Sequence, residues 1–203
     1  TAEANGDVLV RPYVFRDVVY MFGAKTIEQW YNSGAGDPPF DRIEGGTIPK
    51  GLLAADSVSN NDNFIYFLGD DKKVYQLFGA QVNAVSTTAI ESELASISNL
   101  SEAIGFCYVA RGQYRYRLYI PGAKAFEYKE GVGWYELTYG NNELPVSATN
   151  YADAYNKQLI EDGGNLLQLT ETVNTYNGSP MIKERTFGLF SGELFGAESA
   201  GRK

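Results

Sequence analysis

The sequence predicts an all-β chain folded as a β-propeller, and three observations carry that prediction. Phe64–Phe78 reads as two runs of aromatic and β-branched residues around Gly69-Asp70-Asp71, the composition of a strand, a tight turn and a second strand. The same unit recurs at Val18–Trp30 around Gly23, at Tyr116–Tyr128 around Gly122, and at Gln158–Leu169 around Gly163. These turn glycines return every 41 to 53 positions, near the roughly 40–50 residues of a four-stranded propeller blade. About four blade-like repeats are therefore expected, as a whole propeller or part of a larger one, with one short helix inserted between blades. The first and third copies also share Gly-Ala-Lys-x-x-Glu, at Gly23–Glu28 and Gly122–Glu127.

Taken in order, Val8-Leu9-Val10 is apolar and Arg11-Pro12 reads as a break before the first blade. The turn formers Asn32–Pro39 predict a surface loop or crossover after the first hairpin. Ala54–Val58 is expected to be the innermost strand of the second blade, closed by Asn60–Asn63. Thr88 with Glu91 three positions on has the pattern of a capping box, and Ile90, Leu94 and Ile97 share one helical face, so a helix is predicted there, packed between blades. Strands return at Tyr108–Ala110, Tyr114–Ile120 and Gly131–Leu137, and the last blade spans about Thr149 to Phe190. Residues 1–190 are expected to form the propeller domain or propeller fragment, and residues 191–203 a flexible tail.

Composition removes whole classes of chemistry. The chain has 203 residues, no histidine, one cysteine and a net charge of −8. Without histidine there is no Ser-His-Asp or Cys-His arrangement and no histidine-based zinc site. The phosphate loop and the dinucleotide fingerprint are both absent. An acidic surface also argues against gripping nucleic acid through its phosphates. Cys107, inside the apolar run Ile104–Val109, is expected to be a buried thiol. No apolar stretch approaches the roughly 18 residues that span a bilayer, and no basic segment leads into an apolar run, so neither a membrane contact nor a secretory signal is expected.

Carboxylate chemistry survives this elimination, since a glycosidase needs only two suitably spaced Asp or Glu residues. Glu28, Glu44, Asp56 and Glu91 are the candidates, each also readable as a solvated or strand-edge charge, and the Ser-x-Asp-x-Gly-x-x-Trp box of sialidase-type propellers is missing. Asn60–Asn63 and Gly69-Asp70-Asp71 offer oxygen ligands without EF-hand spacing, and turn formation accounts for both. Arg115 and Arg117 share a strand face near Arg111 and read as a solvated basic spot. Trp30, Trp134 and the tyrosines could stack sugars or dock a protein, or pack between blades. No catalytic residue, metal or cofactor is assigned.

Thr26–Gly34 and Pro39–Ile48 together resemble the packaged-DNA stabilisation proteins of short-tailed bacteriophages. Gly51, Ser57-Val58, Leu68–Tyr75, Val85–Glu91, Pro121, Trp134, and Asp162-Gly163-Gly164 through Pro180-Met181 extend the resemblance. It covers about Val18 to Thr186, although Gly112-Gln113 stands where the family often has Gly-His. The resemblance implies a structural protein of the virion tail, assembled in the host bacterial cytoplasm. It implies a propeller-bearing hub that forms a hexameric ring, extends the portal channel and keeps packaged DNA from leaking before ejection. Adaptor and portal, needle and tailspike proteins would be its partners, with DNA met only indirectly. Members are more than twice this length, which implies that the chain is one domain or a fragment. The rival expectations are a carbohydrate-binding, receptor-reading propeller and a carboxylate-based glycosidase.

Overall fold

Three four-stranded antiparallel sheets and one three-stranded sheet follow one another along the chain, each a meander in which every strand pairs with the next. The computed structural model describes residues 6–34, 36–170 and 172–181. Residues 182–190 of the expected last blade and the expected tail 191–203 lie outside the described residues. The first sheet comprises β1 (Leu9–Phe15), β2 (Val18–Gly23), β3 (Ile27–Asn32) and β4 (Phe40–Arg42). The second comprises β5 (Ser59–Asn60), β6 (Ile65–Leu68), β7 (Val74–Phe78) and β8 (Gln81–Ala84), and helix α1 (Thr88–Ser96) follows it. The third comprises β9 (Ile104–Ala110), β10 (Gln113–Ile120), β11 (Lys124–Lys129) and β12 (Gly133–Glu136). A small hairpin, β13 (Thr138–Tyr139) with β14 (Leu144–Pro145), leads to the fourth sheet of β15 (Asn150–Ala154), β16 (Lys157–Asp162) and β17 (Asn165–Leu169). A second small hairpin, β18 (Thr175–Tyr176) with β19 (Ser179–Pro180), follows. No helix among the described residues is long and apolar enough to cross a membrane.

The four predicted hairpins are the central strand pairs of the three four-stranded sheets, β2–β3, β6–β7 and β10–β11, and the last strand pair of the fourth sheet, β16–β17. Strand alternation then assigns each side chain to one of two faces. Tyr20, Phe22 and Ile27 of the first sheet meet Ile65, Phe67 and Leu77 of the second in one apolar cluster, with Phe22 edge-on to Phe67 at 5.2 Å between ring centroids. The opposite face of the second sheet, through Tyr66, Leu68 and Val74, meets Tyr116, Leu118 and Phe126 of the third, and Tyr66 stacks on Tyr116 at 5.2 Å. The other face of the third sheet, through Phe106, Tyr108 and Tyr119, meets Ile160 of the fourth. Sheets stacked face to face in sequence order, each inner one burying both sides, are the blade arrangement of a propeller.

The structure moves several expected boundaries. Arg11 and Pro12 are not a break but lie inside β1, which pairs with β2 alone, and an edge strand tolerates a residue without an N–H. Phe40–Arg42, which carried no strand expectation, closes the first sheet as β4, so Asn32–Pro39 is a loop within that blade, held by Ser33 N donating to Pro39 O at 2.9 Å. Ala54–Val58 is not a strand. Ala55–Ser57 forms a single 3-10 turn, and Ser57 explains it: the buried hydroxyl donates to Ala54 O at 2.7 Å and accepts from Leu68 N at 3.0 Å. Ser57→Ala leaves the Leu68 amide buried without that acceptor, so it should cost about 1–3 kcal/mol, read as a lowered urea midpoint.

Helix α1 is where the periodicity places it, with Ile90 and Leu94 buried in the cluster between the second and third sheets. Its N-cap is Thr87 rather than Thr88, and no capping box forms. Glu91 turns instead to Ser86 Oγ, which donates to it at 3.0 Å, and to Lys73 at 3.1 Å. The shared Gly-Ala-Lys-x-x-Glu also divides. Glu28 pairs across with Met21, on the side of the first sheet turned away from the second, whereas Glu127 pairs across with Arg117, on the side of the third sheet that meets the fourth. The two copies coincide in sequence but occupy opposite faces of their blades.

Candidate functional site

A cleft of about 400 Å³ opens where the leading segments of all four sheets converge. Arg11 of β1, Asp56 and Val58 before β5, Ile104–Phe106 of β9, and Thr149–Tyr151 at the start of β15 line it. The first strand of each blade is the one nearest the propeller axis, so this cleft is the axial opening of the blade stack.

Its walls are tied together across blades. The Arg11 guanidinium donates through Nη1 to Ala55 O at 2.8 Å and to Asp56 Oδ1 at 2.9 Å, joining the first sheet to the second. Tyr13 OH donates to Asn60 Oδ1 at 2.6 Å in the same junction. Between the second and third sheets, Cys107 N donates to Ser59 Oγ at 2.9 Å and Tyr116 OH to Ser57 O at 2.7 Å. Gly105 makes that close approach possible, because a Cβ there would lie 2.4 Å from Ser57 O. Between the third and fourth, Phe106 and Tyr151 stack with rings 5° from parallel, and Gln158 Nε2 donates to Val109 O. Neighbouring side chains thus occupy backbone groups on the axial edge of β9, which blunts it against further strand pairing.

The carboxylates that the sequence offers for hydrolysis are dispersed. Glu28 is on β3, accepting from Trp30 Nε1 at 3.2 Å and pairing with Arg42 at 3.5 Å. Glu44 is exposed in the turn after β4, and Glu91 is on α1. Only Asp56 lines the cleft, and it is paired with Arg11. General acid–base hydrolysis needs two carboxyl groups facing one bond, and the structure does not bring these four together.

The two oxygen-rich turns are occupied by the fold itself. Asn61 Oδ1 accepts from Asn63 N and Phe64 N. Asp70 accepts from Gly51 N and pairs with Lys25, while Asp71 pairs with Lys50 and accepts from Tyr75 OH at 2.6 Å. Among the described residues no group of three or more His, Cys, Asp or Glu side chains could hold a metal ion. The two tryptophans sit on different sheets. Trp30 lies on the outer side of the first, and Trp134 Nε1 donates to Val85 O at 2.7 Å beside the core between the second and third. Cys107 packs against that same core, and burial pushes its thiol up to about 12, which removes it from nucleophilic chemistry at neutral pH.

The basic spot at Arg115 and Arg117 is not a solvated face. β10 is a central strand, and its Arg-bearing side is turned into the third–fourth interface, where Arg117 is 5% exposed and Glu127 2%. Arg115 and Arg117 both donate to Glu127, Arg117 also donates to Tyr108 OH at 2.8 Å, and Tyr108 OH donates to Glu127. The Arg117 guanidinium lies over the rings of Phe106 and Tyr108, 5.5 and 5.2 Å from their centroids. Burial alone would push the Glu127 carboxyl up. The Arg117 charge and the hydrogen bonds from Tyr108, Arg117 and Arg115 outweigh it and hold the group below its ordinary 4.5. The signal available in the sequence was Glu127 itself, which an antiparallel partner strand places opposite Arg117.

Compared with known proteins, the chain matches the family model described as Bacteriophage P22 Gp10, beta-propeller, over residues 1–174. No curated protein sequence matches it.

Proposed function

The chain belongs to the Bacteriophage P22 Gp10 β-propeller family, and from that premise we propose that it serves the virion tail as a hub that keeps packaged DNA in place by assembly rather than by catalysis. A phage stabilisation family with a structural role is what the match supports. The finer reading is that copies of the protein form a hexameric ring that extends the portal channel, assembled in the host cytoplasm. The ring would contact adaptor or portal, needle and tailspike proteins, and would meet DNA only as the wall of a conduit.

The observation that carries the reading is the extent of the match, because residues 1–174 include all four stacked sheets and the axial cleft they form. Charge supports the mode of action. A net charge of −8 gives double-stranded DNA no electrostatic grip, so retention on this reading is steric and DNA can slide when the seal opens. Two measurements test it. Mass spectrometry of purified particles should find the chain at a fixed, low copy number, and its absence from particles would contradict the role. Titration of the purified chain with double-stranded DNA at physiological salt should give no binding tighter than about micromolar, the non-specific range. Sub-micromolar affinity would overturn the steric mode.

A further inference from the structure

One joint of the stack differs in chemistry from the other two. The first–second and second–third joints are filled by apolar side chains and crossed by hydrogen bonds, Arg11 to Ala55 O in one and Tyr116 OH to Ser57 O in the other. The third–fourth joint holds ions. Among the described residues the buried charged side chains are Glu28, Arg117 and Glu127, and Glu28 lies on the side of the first sheet turned away from the second. Arg115, Arg117, Glu127 and Tyr108 bond to one another, and all four belong to the third sheet. Even the rings beneath the Arg117 guanidinium, Phe106 and Tyr108, stand on β9. The fourth sheet covers this group with Tyr151, Ile160 and Leu167, and Arg115 Nε and Arg117 Nε are left buried without a hydrogen-bond partner.

We propose that the third–fourth joint is the hinge at which the stack opens, the fourth sheet parting from the third as a unit while the first three sheets stay packed. Parting gives up the apolar contact of Phe106, Tyr108 and Tyr119 with Tyr151 and Ile160, and the solvent-exposed bond from Gln158 Nε2 to Val109 O. It breaks none of the bonds among Arg115, Arg117, Glu127 and Tyr108. It also returns water to the ions and to the two orphaned N–H groups. Burying an ion is costly even when it is paired, and a buried donor without an acceptor adds to the cost. Opening therefore recovers free energy here that it cannot recover at the two apolar joints. Ile104–Phe106 and Thr149–Tyr151, which line the axial cleft, stand on the two sides of this joint, so its opening widens the cleft. On the reading of the protein as a conduit wall, on which this use rests, the wall parts here. The opening is internal to the chain and needs no surface at either end of the stack.

Native-state hydrogen exchange of the purified chain reads the opening residue by residue. Amides 158–161 of β16 should exchange through one shared opening, at least about a hundredfold faster than amides 19–22 of β2, with amides 116–119 of β10 as protected as those of β2. The first sheet is the fair reference, because it too packs against a single sheet among the described residues. Arg115→Met, Arg117→Met and Glu127→Leu together leave no ions to rehydrate, so exchange in β16 should slow about tenfold or more while β2 is unchanged. Arg115→Met alone keeps the Arg117–Glu127 pair and should slow β16 in the same direction, which decides the matter if the triple variant fails to fold. Protection of β16 equal to that of β2 would overturn the proposal. So would exchange in β16 that is as fast in the folded variants as in the unaltered chain. Either result would leave the particle measurements above unaffected, so the hinge and the virion role fail separately.

Discussion

Glu127→Ala should destabilise the chain by about 3–5 kcal/mol, because it leaves two arginines in the third–fourth interface without the carboxylate that both engage. In a domain of this size that corresponds to a melting temperature lower by roughly 10 °C. Removing all the charge is a different perturbation. Arg115→Met, Arg117→Met and Glu127→Leu together dispense with the desolvation of three ions, so the triple variant should recover most of the loss. The pH dependence follows from the same geometry. The folded carboxyl titrates below its ordinary 4.5, so its stabilisation is fully present above about pH 4.5 and is lost as pH falls through the folded value. The stability difference between the unaltered protein and Glu127→Gln should therefore be largest near neutrality and shrink in acid. Thermal melts of both at several pH values check this, and a difference that stays constant through the acid range would refute the assignment.

Gly51→Ala is expected to be nearly as damaging, for a reason of backbone contact rather than charge. A Cβ at Gly51 would lie 2.0 Å from Ala24 O and 2.4 Å from Ala24 C, so a main chain rather than a movable side chain stands in its place. The segment cannot simply retreat. Ile48 and Ile27 exchange backbone hydrogen bonds at 2.8 and 2.9 Å, and Leu52 N donates to Gly23 O at 2.9 Å. Opening that contact separates the β2–β3 turn from the second sheet, at a cost of about 3 kcal/mol. Urea denaturation measures the loss, and hydrogen exchange should locate it at the Ile27 and Ile48 amides. Gly6→Ala, whose Cβ meets nothing within 4 Å, serves as the control.

The hairpins were legible because Gly, Asp and Asn turns between aromatic and β-branched runs are local signals that depend on nothing distant. First strands were harder. β5 is two residues long, and the turn before it is fixed by Ser57 bonding to Ala54 and Leu68, which no window of sequence displays. Pro12 suggested a break because its missing N–H weakens a strand in general, yet β1 needs donors on one side only. Arg115 and Arg117 were readable as a pair on one face, but the burial of that face of β10 depends on the fourth sheet, which begins about thirty positions later. The axial cleft was legible only through Asp56. Arg11, Ile104 and Thr149 are brought to it by the order in which the sheets stack, and that order is a property of the whole chain.

The role proposed for this propeller is to hold packaged DNA in the particle. The direct measurement is nuclease-accessible DNA released over time from filled particles made without the chain, before and after addition of the purified protein. Particles made without the chain should package normally, leak their DNA, and stop leaking once the protein is added. Particles that retain their DNA without it, or that continue to leak after it has bound, would overturn the proposed role.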